Sequence, residues 1–243
     1  MQPAPPEKTR RVRLNLFVLS LSKHWLKVAA VVLAFYVGLS VLAPVLMRLG
    51  LEGPARVLYT VYAPFCHQFA FRSFFVGGEQ LLYPRAIAQS GLAPFEWEVY
   101  NDPSFLSSYQ FYFQRSHGGQ AAPNPTPEEL ATTFTPWMQF ASKDFPGNAE
   151  MGYKTALCAR DEAIYFGLLA GALIYSIPRI RRRLRPVPLL LYIFLGVLPI
   201  AIDGGSQLLG YPPFNLWPPR EALPFFRVIT GLLFGLMSAW LAF

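Results

Sequence analysis

Charge is scarce in this chain. Of 243 residues only 14% are charged, while 53% are hydrophobic and 16% aromatic; an ordinary soluble domain carries about 25% charge. So apolar a composition indicates an integral membrane protein before any local pattern is read. Cysteine is scarcer still. Two residues exclude a disulfide framework and leave one bridge, a share in one metal site, or free thiols. Serine-nucleophile motifs, phosphate-cradling glycine loops and H-E-x-x-H are absent, so no motif names a reaction. Net charge is +7, but the basic residues flank apolar runs and form no aromatic-interleaved groove, which argues against a nucleic-acid partner.

Long apolar runs are what the chain does have. Leu26 to Met47 is 22 residues with a single charge at its start, long enough to cross a hydrocarbon core of about 30 Å. It is too long for a cleaved signal peptide and lacks a clear small-residue cleavage site, so it reads as an anchor. Three further runs follow: Leu157–Ile177, Pro188–Leu209 and Leu223–Phe243. Pro199 is expected to kink the third. The fold class expected is therefore all-α integral membrane, with four transmembrane helices, an outer-side packed or interfacial helix and an extracytoplasmic insertion. In chain order this gives a basic cytoplasmic arm (1–25), the first span (26–47), an outer-side helix bearing a Cys-His-Gln motif (48–83), a Pro- and aromatic-rich insertion (84–152), and spans two to four (153–243).

Positive charge orients these segments. Residues 1–27 hold Lys8, Arg10, Arg11, Arg13, Lys23 and Lys27 against Glu7 alone, and "PRIRRRLRP" between the second and third runs holds five arginines and no acid. Pro84 to Gly152 holds three basic and seven acidic residues. By the positive-inside rule both termini are cytoplasmic in a multi-pass cell-membrane protein, and the insertion lies outside. Arg48, on the outer side, is the one dissent.

This topology gathers unusual polar groups at one depth. Cys66, His67, Gln68 and Arg72 lie in the outer segment. Cys158, Arg160 and Asp161 open the second run, Asp203 and Gln207 close the third, and Arg227 opens the fourth. Ionisable groups near hydrocarbon are expensive and pair with one another or face a cavity. Cys158, Asp161 and Glu162 share a helical face, and Asp203 with Gln207 does so if the helix survives Gly204 and Gly205. Gly167 and Gly171, matched by Gly231 and Gly235, are small-residue steps that let two helices approach closely. Arg72 is expected to pair with Asp203 or Asp161.

These motifs, "CHQFAFRSF" (66–74), "CARDEAIYFG" (158–167), "PIAIDGGSQ" (199–207) and "RVITG" (227–231), resemble the family of membrane proteins grouped as domain of unknown function 2085. The resemblance covers roughly 55–83 and 155–243, and makes residues 84–152 look inserted. The family pattern C-A-R-C has Asp161 in place of its second cysteine here, and its glycine is Ala163. The resemblance transfers no activity.

Several chemistries fit the cluster. Cys66, His67, Cys158 and Asp161 offer a tetrahedral set for zinc. A Cys66–Cys158 disulfide is the alternative, and two buried free thiols a third. Gln68, Arg72, Arg160, Asp203, Gln207 and Arg227 form either structural ion pairs or a site for an anion. His24 and His117 are isolated and read as interface and solvated-loop residues. The function expected is mainly structural. Two other classes stay open: an assembly subunit contacting a membrane-protein partner through residues 84–152, and an enzyme or transporter for an anionic or lipid-linked substrate at the outer leaflet.

Overall fold

The structure, a computed structural model, describes residues 6–211 and 213–243, with side chains from Val12 onward. The first five residues of the arm lie outside the described residues. From Pro6 the arm and the first span form one continuous helix, α1 (Pro6–Arg48), of 43 residues. Its C-terminal end is tied down by the dissenting arginine: Arg48 Nη1 donates to the carbonyl of Gly77 at 2.7 Å.

Among the described residues three helices are long and apolar enough to cross a membrane: Val12–Arg48, Leu189–Gly210 and Pro224–Ala242. The second of the four expected runs is not among them. The reason lies at the start of the second run. Leu157 and Cys158 belong to a strand, so helix α7 (Ala159–Ser176) is only 18 residues long, and its first turn carries Arg160, Asp161 and Glu162.

A single turn, α8 (Pro178–Arg181), follows α7, and the middle apolar helix is built from α9 (Leu189–Leu191), a wide π-helical stretch (Tyr192–Val197) and α10 (Leu198–Gly210). Pro199 lacks the N–H that a tight turn would use, and the widened turns directly precede it. The last helix is α11 (Pro224–Ala242). Helix α7 packs against both α1 and α11. The glycine steps meet as expected: a Cβ on Gly235 would stand 2.1 Å from the Ile164 carbonyl oxygen, and one on Gly167 2.8 Å from that of Leu232. Phe35, Phe194, Leu208 and Phe225 remain exposed on the outer faces of these helices, as suits a lipid solvent.

The outer segment differs from expectation. Helix α2 (Glu52–Tyr62) ends before the Cys-His-Gln motif, which lies in irregular chain leading through a short 3₁₀ turn (Ala70–Arg72) into β1 (Ser73–Gly77). Pro64 follows directly and cannot continue the ladder. With β2 (Gly147–Asn148) and β3 (Gly152–Cys158), β1 forms an antiparallel sheet of order β1-β3-β2, so the fold is mostly rather than wholly helical. Ser73 pairs with Cys158 and Phe75 with Lys154.

Residues 84–152 form neither a loose loop nor a separate domain. Short helices α3 (Phe95–Val99), α4 (Pro103–Ser116), α5 (Pro127–Thr132) and α6 (Pro136–Asp144) start cleanly, the last three on Asp102, Thr126 and Thr135 caps followed by proline. Phe95, Phe105, Met138 and Phe145 close around Phe69, Phe71 and Phe75 from the motif segment. The motif and the insertion therefore share one aromatic core, here termed the cap.

Candidate site at the junction of cap and bundle

Strand β3 carries the chain from the cap core directly into α7, so Cys158 stands at the N-cap of that helix. Cys66 comes to the same point from the turn after α2. The two sulfurs are 2.8 Å apart, both residues are buried, and neither is bonded to the other. Cys66 Sγ also accepts from the backbone N–H of Cys158 at 3.2 Å and of Gln68 at 3.4 Å. Hydrogen bonding to Cys158 and then burial push the Cys66 thiol up, whereas the hydrogen bond from Cys66 holds the Cys158 thiol down.

Asp161 completes a set of three: one carboxylate oxygen and the two sulfurs all lie within 4.8 Å of one another. His67 does not join them. It is exposed, with its ring 5.4 Å from Phe69. An adjacent residue on irregular chain need not share its neighbour's direction, and here the backbone reverses: Gln68 adopts φ +56°. That left-handed geometry is uncommon outside glycine. It turns the Gln68 amide inward to donate to the carbonyls of Tyr59 at 2.9 Å and Ala156 at 2.8 Å, joining α2 to β3.

The arginines find partners, though not all the expected ones. Arg72 pairs with Glu221, in the loop before α11, rather than with Asp203 or Asp161. Its guanidinium also sits over Phe71 at 5.3 Å and Phe69 at 5.4 Å. Arg227 pairs with the same Glu221 and donates to Gln207 Oε1 at 2.8 Å. Arg160 pairs with Asp203, which Arg220 approaches at 3.7 Å. The helix survives Gly204 and Gly205, and Gln207 Nε2 donates to the carbonyl of Asp203 at 3.2 Å. Burial opposes the charge on Glu221, but Arg72 and Arg227 outweigh it and hold that carboxyl below its usual range. The ε-nitrogens of Arg72 and Arg160 are buried without an acceptor.

Several functional residues escaped the sequence reading. Tyr211 donates to Glu221 at 3.3 Å and accepts from Arg85 at 3.3 Å, linking the junction to a second buried pair, Arg85 with Glu96 at 3.0 Å. Arg85 also donates to the carbonyls of Leu130 and Thr133. Lys154 is buried in β3, with its ammonium held by the carbonyls of Gln68, Ser142 and Lys143; burial pushes its amine down to about 7. Glu162, which helical spacing had already grouped with Cys158 and Asp161, accepts from Ser40, whose oxygen in turn accepts from the Leu157 N–H at 2.9 Å. Glu221 was the legible one, since it is the sole acid between the last two apolar runs.

Residues 150–241 match the family described as predicted membrane protein, DUF2085. The resemblance drawn from the motifs thus holds over the last three of them, while the Cys66–Phe74 motif lies outside the matched stretch. The uncharacterized protein MJ1492 of Methanocaldococcus jannaschii is 34% identical over 84 residues, which is 35% of this chain and 48% of that protein. The chain thus spans about half the length of that relative. No solved structure matches it.

Proposed function

We propose that this is a structural membrane protein in which an outer cap is clasped to a four-crossing bundle by a Cys66–Cys158 disulfide, with both termini cytoplasmic. The observation that carries the clasp is the approach of the two sulfurs to 2.8 Å at the one point where cap strand becomes bundle helix. An oxidant of the compartment would take two electrons and two protons from the thiols. The bond would close a loop of 92 residues, worth about 4.6 kcal/mol in the chain-entropy picture. Support for a fourth crossing comes from α7, whose first turn stands at the cap and whose last turn lies beside Lys23–Lys27 of α1 and against Phe243, just past the end of α11. Of its early charges, Arg160 is neutralised by Asp203 and Glu162 is bonded by Ser40.

A second reading rests on the Asp161 carboxylate within 4.8 Å of both sulfurs. Cys66, Cys158 and Asp161 could hold zinc through three ligands, leaving the fourth position open because His67 points elsewhere. Intact mass and elemental analysis of protein purified without reductant separate the two. The disulfide gives a metal-free chain two hydrogens lighter than the reduced form, a deficit that Cys66→Ser abolishes. Stoichiometric zinc that disappears in Cys66→Ser would replace the clasp with the metal reading.

A further inference from the structure

At the end of the bundle away from the cap, three helices meet on aromatic rings. Trp25 of α1 lies 5.3 Å from Phe243, and Tyr175 of α7 stacks on the same ring at 5.7 Å. Beside them a cavity of about 470 Å³ opens between α1 and the end of α7, lined by Lys23, His24, Lys27, Tyr175, Ser176 and Arg181. None of its lining residues is acidic. A second, narrower cavity of about 220 Å³ runs between α7, α11 and the start of the basic loop. Its walls are apolar: Ile174, Ile180, Leu184, Met237 and Trp240, with Tyr175 once more. Tyr175 is the wall they share, so a hydroxylated cationic pocket and an apolar groove lie side by side.

We infer that this pair of cavities binds one anionic phospholipid, its phosphate among Lys23, Lys27 and Arg181 and an acyl chain along the groove past Tyr175. The inference rests on the membrane reading of the chain and not on the state of the cysteines. Charge selects the headgroup. Three cations without a lining carboxylate attract a net anion, whereas a zwitterionic head brings its own ammonium into the same pocket. The groove selects a lipid over free phosphate, which would fill the cationic pocket and leave the apolar walls uncovered. A second copy of this chain is a poor occupant, since it would present the same basic residues to the same pocket.

Native mass spectrometry of the full chain in mild detergent tests this with phosphatidylglycerol, phosphatidylcholine and inorganic phosphate as separate probes. One phosphatidylglycerol should bind at least about fivefold more tightly than phosphatidylcholine, the weight of a single basic side chain near an anionic surface. High salt should erase that preference on the unaltered protein. The triple substitution Lys23→Gln, Lys27→Gln, Arg181→Gln should remove the preference, and Leu184→Trp, which plugs the groove, should weaken lipid binding while leaving binding of inorganic phosphate unchanged. Equal retention of the two lipids, or a preference that survives the triple substitution, overturns the site. Inorganic phosphate competing as well as the lipid overturns the lipid assignment.

Discussion

The two ends of the bundle use the same kinds of side chain in opposite ways. At the cap end Arg72, Arg160 and Arg227 are each set against Glu221 or Asp203, and Arg85 deeper in the cap against Glu96. At the far end Lys23, Lys27 and Arg181 face outward around a pocket with no acidic wall. Burial makes the difference. A desolvated guanidinium without a partner is costly, so the cap end must neutralise itself before it can fold. An exposed ammonium costs little and leaves its charge available to something outside the chain.

Removing one carboxylate should break this contrast most severely. Glu221→Gln leaves both Arg72 and Arg227 short of charge in a buried setting and should cost about 3–5 kcal/mol of stability, read as a lowered unfolding midpoint in detergent. The same residue sets an acid dependence. Its folded carboxyl titrates below its ordinary 4.5, so the stability it brings is complete above that value and is lost as pH falls through the lower, folded one. A Gln variant should show a flatter acid limb, and an unchanged limb would remove Glu221 from the account. Gly235→Ala acts between the two ends. Its Cβ would lie 2.1 Å from a backbone oxygen of α7, and parting the helices should cost about 1–3 kcal/mol. Smallest of all, Lys27→Gln should leave the unfolding midpoint in lipid-free detergent unmoved, since the charge at that end supports no buried partner; a clear drop would mean the two ends are not so different.

Much of the bundle was legible in the sequence because lipid-facing helices write long apolar runs, and the glycine steps named the α7–α11 contact. The sheet was not legible. Strand β3 is buried along nearly its whole length, so it shows no alternation and merges with the apolar run that follows it. Three of the four expected ligands converge, because helical spacing places Asp161 over Cys158 and topology supplies Cys66. His67 failed because periodicity says nothing about irregular chain, and the reversed backbone at Gln68 sends adjacent side chains apart. Arg72 was given the wrong partner for a related reason: Glu221 sits in a Pro-rich loop whose path no local pattern reveals.

The register of the sheet has a consequence for biosynthesis. Strand β1 lies early in the cap, yet its neighbour among the described residues, β3, is the last piece of the cap to be made. Until β3 emerges, β1 offers a bare hydrogen-bonding edge, and the aromatic core gathered on it stays incomplete. Because β3 runs straight into α7, the strand that completes the cap is delivered by the same stretch of chain that next enters the bundle. Closure of the cap and seating of α7 should therefore occur together, as one late event.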